Sequence, residues 1–210
     1  MSATDTSTLL DYAPIPRAAL GPALNEQGYY VGRVERNLYY VTDGTYMAAF
    51  LTTSDGVVVL ATWLDQTREL VPARTRLLED KVVVDPSNPI GFDENGRMFR
   101  TLPLRESAGS VVAGLLPESA HYVKAFGTLG ADQLATSANR EPRVVLFYAT
   151  DDDAAEATAQ RVIRAAGFEP LKVGGVSDAG RIEGPDGGLQ GRIFDLDEAR
   201  ATIATKGVKP

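Results

Sequence analysis

Apolar residues in this chain fall into short runs with little polar interruption. One run reads Gly56-Val-Val-Val-Leu-Ala-Thr-Trp63, and another reads Lys81-Val-Val-Val-Asp-Pro-Ser-Asn88. Runs of this kind, without polar alternation, suit strands buried on both faces of a parallel sheet. Leu64 to Glu79 between them is about long enough for one crossover helix. The unit therefore predicts strand, helix, strand with a right-handed connection. Ligands in open α/β sheets sit outside the carboxyl ends of such strands. That puts Ala61, Thr62, Trp63, Asp85, Ser87 and Asn88 on one rim.

Upstream the pattern changes. Tyr29–Val34, Leu38–Thr42 and Tyr46–Thr53 are rich in aromatic and β-branched residues and are split by Glu35-Arg-Asn37 and Asp43-Gly-Thr45. This punctuation predicts an antiparallel meander. Thr53-Ser-Asp-Gly56 is a tight hairpin turn that joins the meander to the edge of the parallel sheet. Residues 1–27 read as a loose, Pro-containing arm.

Downstream, Pro89–Leu104 reads as a loop with a turn signal at Gly91–Gly96. Ala108, Val111, Val112, Leu115 and Leu116 mark a helix over Ser107–Leu116 that Pro117 ends. His121–Phe126 is a third parallel strand, Gly130–Ala135 a short helix and Arg143–Thr150 a fourth strand. Asp151, Asp152 and Asp153 cap a helix that runs to about Ala166 and stops at Gly167. Glu169–Val173 is a fifth strand. Residues 174–191 hold seven glycines in 18 positions, which predicts a partly mobile loop. A last helix is expected over Asp195–Thr205. The fold class is α/β, mostly parallel, extended by an N-terminal meander. The boundary falls between residues 1–55, the arm and meander, and residues 56–210, the α/β region.

Composition narrows the function. At 210 residues and 44% apolar content the chain can bury a real core. A formal net charge of −7 argues against sequence-independent nucleic-acid binding, which needs clustered cations. With no cysteine there is no disulfide and no thiolate metal site, and a single histidine excludes a site built from several imidazoles. No apolar run approaches the roughly 18 residues that span a bilayer. The first eight residues lack the basic and apolar regions of a signal peptide, so a cytoplasmic location and no membrane partner are expected.

Several stretches, taken together, resemble a known family. They are Val57–Trp63, Lys81–Ile90, Ser107-Ala-Gly109, Val123-Lys-Ala-Phe-Gly-Thr-Leu-Gly-Ala131, Val144–Ala149 with Asp151 and Asp152, and Ala166-Gly-Phe-Glu-Pro170. Their order and spacing resemble the second half of the NADP-dependent deazaflavin-coenzyme oxidoreductases and related dinucleotide-binding reductases. The resemblance implies a Rossmann-like half sheet and a crevice where nicotinamide meets its hydride partner. It also implies that Thr62, Trp63, Asn88, Pro89, Lys124, Ala125 and Phe126 face the reacting rings. Two departures matter. The family often has Asn where this chain has Gly127, and residues 1–56 lack the Gly-x-Gly-x-x-Gly that seats a pyrophosphate on a helix N-terminus. Any NADP is therefore expected to bind weakly and through its nicotinamide end.

Residues 28–60 resemble instead the opening strands of metallo-β-lactamase-fold hydrolases, through Leu38–Tyr46, Ala49-Phe-Leu51 and Asp55–Leu60. That family continues into a zinc-holding His-x-His-x-Asp-His. Here Ala61-Thr-Trp-Leu-Asp-Gln66 follows, so no zinc is expected. The chain reads as a chimeric junction of two families, natural or constructed.

Individual residues keep plain readings beside these. His121 reads as a surface or packing residue rather than a catalyst. Asp85 either stabilises the turn at Pro86 or meets a ligand. Lys124 reaches a phosphate or carboxylate, or extends along the sheet end to solvent. Trp63 stacks on a ring or packs. The leading functional expectation is an NADP-linked oxidoreductase, or a degenerate relative that binds a nucleotide-like small molecule. The alternative is a non-catalytic binding or assembly module that forms a homodimer through its aromatic meander. A metal-independent hydrolase or lactonase comes last, because no nucleophile–base pair is visible.

Overall fold

The structure is a computed structural model that describes residues 22–26, 28–35, 38–42, 47–53, 56–60, 64, 67–68, 71–72 and 75–205. The arm at 1–21, the hairpin tip Ser54–Asp55, the rim positions Ala61, Thr62 and Trp63 and much of the expected crossover helix lie outside the described residues.

The expected meander forms. Strands β1 (Tyr30–Glu35), β2 (Leu38–Thr42), β3 (Met47–Thr53) and β4 (Gly56–Leu60) pair in sequence order, each antiparallel to the next. The β3–β4 hairpin closes with Thr53 opposite Gly56. β4 lies near β5 (Val82–Asp85), but among the described residues it is hydrogen-bonded only into the meander's own four-stranded sheet, so the expected parallel β4–β5 pair and edge-on join are not formed there. Of the crossover, the described residues include a single helical turn, α1 (Thr75–Leu78).

The main sheet has the order β10-β9-β8-β5, with β8 at His121–Ala125, β9 at Val145–Ala149 and β10 at Glu169–Gly174. As expected, β5 and β8 are parallel, and so are β9 and β10. The join between the two pairs departs from an all-parallel sheet. β8 and β9 are antiparallel, with Lys124 opposite Ala149 and Ala125 opposite Tyr148. Helix α3 (Ala131–Ser137) lies in the connection between these two strands.

Period-2 alternation assigns side chains to two faces. Val82, Val84, Val123, Ala125, Leu146 and Tyr148 face helix α4 (Asp153–Ala165). That helix offers Ala155, Ala159 and Ile163 at four-residue spacing. Its first turn is closed by Asp152, whose carboxylate accepts the Ala155 N–H at 2.8 Å, as the Asp run predicted. Gly167 follows it in the left-handed region at φ 88°. On the opposite face, Val145, Phe147 and Ala149 pack with Val173, Ala179, Ile182, Leu189 and Phe194 and with Ala199 of helix α5 (Leu196–Thr205). The same alternation directs Asp85, Tyr122 and Lys124 to this second face, beside helix α2 (Ala108–Ala113).

Two expected loops are ordered differently. Within Pro89–Leu104, β6 (Ile90–Phe92) and β7 (Met98–Arg100) form a small hairpin around the predicted turn, in which Asp93 accepts N–H groups from Asn95 and Arg97. Residues 174–191, expected to be loose, hold a 3-10 helix, Val176–Ile182, and bury Ala179, Ile182, Glu183 and Leu189. The glycines serve close approach there rather than freedom: a Cβ at Gly187 would run into the backbone of Glu183.

Gly109 does the same on the facing helix, where an added Cβ would stand 2.6 Å from the Ala179 Cβ. Alanine would gain up to about 1 kcal/mol of helix propensity, but overpacking two backbones that cannot part costs about 1–3 kcal/mol. The Gly109→Ala variant is therefore expected to lose about 1–2 kcal/mol in urea unfolding, and a gain in stability would contradict this packing.

Candidate functional site

The parallel strands β5 and β8 end side by side, so the chains that leave them form one rim. Asp85, Pro86, Ser87, Asn88 and Pro89 leave β5, and Phe126, Gly127 and Thr128 leave β8. Of the seven residues that the resemblance implies, the structure brings together Asn88, Pro89, Lys124, Ala125 and Phe126. Thr62 and Trp63 are not among the described residues. Phe126 and Asn88 are half-buried, whereas Pro89, Lys124 and Ala125 are buried. Phe126 sits in the left-handed region at φ 66°, a conformation costly for a bulky residue. Strain of this kind clusters at binding sites.

Lys124 neither reaches solvent nor points at an open ligand position. Its side chain is 1% exposed. The ammonium donates to Asp85 Oδ2 at 3.0 Å and to the Ser87 carbonyl, and stands 3.8 Å from Glu183 Oε1. Each carboxylate has further donors. Asp85 accepts the Tyr122 hydroxyl at 2.6 Å on Oδ2 and the Ser87 N–H at 2.8 Å on Oδ1. The second of these is the turn-stabilising role foreseen for Asp85. Glu183 accepts the Ala108 N–H at 2.8 Å and the Gly109 N–H at 2.7 Å, the first free donors of α2. Burial, then the Asp85 charge and hydrogen bond, push the Tyr122 phenol well above its usual range. Tyr122 thus stays a neutral donor.

Asn88 is also engaged. Its Nδ2 donates to the Gly127 carbonyl at 2.9 Å, and its Oδ1 accepts the Gly184 N–H at 2.9 Å. Gly127, the departure from the family pattern, now has a physical reason. A Cβ there would stand 2.7 Å from the Pro86 carbonyl and 3.2 Å from Asn88 Nδ2. The two strand ends approach too closely for any side chain, and the Asn88 carboxamide bridges them instead. The polar group left over is the Thr128 hydroxyl, which is buried with no protein partner among the described residues.

Sequence reasoning missed Glu183. It lay in a segment read as loose, and the available signal was one carboxylate directly after the apolar Ile182. It also missed the partner of His121. His121 Nδ1 donates to Asp152 Oδ2 at 2.7 Å, with both side chains about one third exposed. Asp152 borders a pocket of about 360 Å³ that Asp151, Glu118, Tyr122, Leu116 and Val176 also line. Among the described residues no group of three or more His, Cys, Asp or Glu side chains is placed to hold a metal. No described helix is long and apolar enough to cross a membrane.

No family model and no curated protein matches the chain. Solved structures do. A hypothetical protein from Sinorhizobium meliloti is 27% identical over 68% of this chain and 67% of its own, with a TM-score of 0.58. A candidate F420-dependent NADP-reductase from Arthrobacter sp. FB24 is 22% identical over 60% of this chain and 57% of its own, with a TM-score of 0.52. The likeness shows a Rossmann-like α/β fold with a mostly parallel sheet and helices on its faces.

The Asp152–His121 pair sets a pH dependence. Burial disfavours the Asp152 carboxylate, but the hydrogen bond from His121 and the Ala155 N–H outweigh it and lower the pKa. A lowered folded-state value means the stabilisation is present above the unfolded value of about 3.9 and is lost as pH falls through the folded one. Asp152→Asn keeps the cap but not the charge, and partly exposed pairs of this kind are worth about 0.2–1 kcal/mol. The variant is expected to be less stable by that amount at pH 7 and to converge with the wild type below about pH 4 in urea unfolding. A gap that persists unchanged at pH 3 would contradict the assignment.

Proposed function

We propose that this chain is an NADP-linked oxidoreductase-like protein that takes a nicotinamide or similar flat ring at the rim of Thr62, Trp63, Asn88, Pro89, Lys124, Ala125 and Phe126. The observation that carries the reading is the pairing of β5 and β8 as parallel neighbours whose ends present Asn88 and the strained, half-buried Phe126 together. The shared fold with a candidate NADP-reductase supports it. The residues fit the ring end of such a cofactor. The Phe126 ring offers a stacking face, and the buried Thr128 hydroxyl awaits a polar partner. They fit the pyrophosphate poorly, because the ammonium of Lys124 is enclosed by Asp85, Ser87 and Glu183.

When bound, a nicotinamide cofactor supplies the hydride chemistry, and a protein's part is to orient two rings and exclude water. The chain's share is therefore positional: Asn88 fixes the spacing of the strand ends, Phe126 sets a ring plane, and Lys124 with Asp85 and Glu183 anchors both from beneath. The engaged state of Lys124 and Asn88 also favours a second reading, a non-catalytic binding or assembly module, with a homodimer as its natural form.

Calorimetry with NADPH and with nicotinamide mononucleotide separates these readings. Both are expected to bind with dissociation constants of about 0.1–1 mM, and Phe126→Ala to raise both about two- to tenfold. Submicromolar NADPH binding without mononucleotide binding would place the affinity in a phosphate site and contradict the ring-end reading. No binding of either would leave the assembly module.

A further inference from the structure

We propose that Glu183 is a positioning residue for the rim, holding the Asn88 carboxamide and the Phe126–Gly127 turn at the spacing that a flat nicotinamide-type ring meets. The proposal rests on the ring-binding reading above and names how that site is kept in shape.

Glu183 is completely buried. Neutralising Lys124 is only part of its role, because Asp85 already pairs with that ammonium at 3.0 Å while Glu183 stands at 3.8 Å. The α2 amides place it. Its two oxygens accept separate N–H groups, from Ala108 and from Gly109. A carboxylate gripped by two backbone donors, with an ammonium alongside, is fixed in both position and plane. Its own backbone is fixed with it.

The next residue carries that constraint to the rim. The Gly184 N–H donates to Asn88 Oδ1, and Asn88 Nδ2 donates to the Gly127 carbonyl. The Gly184 backbone passes close to β6, since a Cβ there would stand 2.8 Å from the end of the Ile90 side chain. An unbroken series of contacts therefore runs from α2 through Glu183, Gly184 and Asn88 to Gly127. It ties together stretches 39 to 96 residues apart and ends beside Phe126. The glycine-rich segment is thus a wall of the site. Ring binding depends on placement to within about an ångström, so a loosened wall lowers affinity even in a fully folded protein.

The test compares wild type with Glu183→Gln, which keeps the shape but sets an NH2 group against one α2 amide. In the folded variant, hydrogen exchange of the Asn88 side-chain amide followed by NMR is expected to rise about tenfold, while core amides such as Ile163 are unchanged. NADPH affinity is expected to fall about three- to tenfold, and the Asn88→Ala and Glu183→Gln effects on it not to add in the double variant. Unchanged Asn88 exchange in folded Glu183→Gln overturns the proposal, and so does full additivity. Should the variant not fold, wild-type exchange decides. Saturating NADPH slows the Gly184 amide if this wall meets the ligand, and leaves it unchanged if it does not. A wild type that binds no NADPH overturns the ring-binding reading instead, and Asn88 exchange still reports whether Glu183 holds the rim.

Discussion

A buried ammonium must be paired, and much of this molecule's arrangement follows from that requirement at Lys124. Stripping such a group of water costs several kcal/mol unless charge and hydrogen bonds are returned to it. The parallel register of β5 and β8 supplies the first partner, by setting Asp85 directly across from Lys124. Adjacent strands in register place these side chains on one face. The Ser87 carbonyl, just beyond the strand end, supplies the second. Glu183 comes from the far end of the chain, and it also takes the first N–H groups of α2, which would otherwise lie buried and unsatisfied. Sheet, helix and glycine-rich segment meet at one charge.

The same cluster decides what the rim can offer a ligand. A lysine at the end of a parallel strand reads equally as a phosphate or carboxylate partner or as a chain extending to solvent, but this one is closed in. The Asn88 carboxamide is bonded at both ends, and the Pro86 carbonyl occupies the space that a side chain at Gly127 would need. What remains at the surface is a ring face and backbone. Such a surface suits a planar, weakly polar group far better than a polyanion. That fits the absence of a Gly-x-Gly-x-x-Gly from residues 1–56.

The legible parts of the fold are those where local pattern and tertiary packing agree. Three consecutive valines before Asp85 could only be a buried strand, and the Asp151–Asp153 run before an alanine-rich periodic stretch could hardly be other than a helix start. The direction of β9 was not legible, because a strand's pattern is the same in either direction. The 174–191 segment misled because glycine density signals freedom only when nothing presses on the backbone. Here the glycines let chain segments approach more closely than a Cβ allows. At the site, the residue set at the strand ends could be named from the resemblance, but not which polar groups were already engaged. Lys124 was visible as unusual, yet its partner Glu183 lies 59 positions on (183 less 124), beyond any local signal.

Lys124 acts as a structural cation rather than a ligand-binding one, and the unfolding free energy of Lys124→Met in urea is the measurement that bears on this. Methionine fills similar space but leaves Asp85 and Glu183 buried without their counter-charge. Removing one partner of a buried pair costs about 3–5 kcal/mol, and a loss of that size is the result expected here. Surface substitutions away from such features stay within about 0.5 kcal/mol. A Lys124→Met protein as stable as the wild type would show that the ammonium is free for a ligand, and would contradict this account.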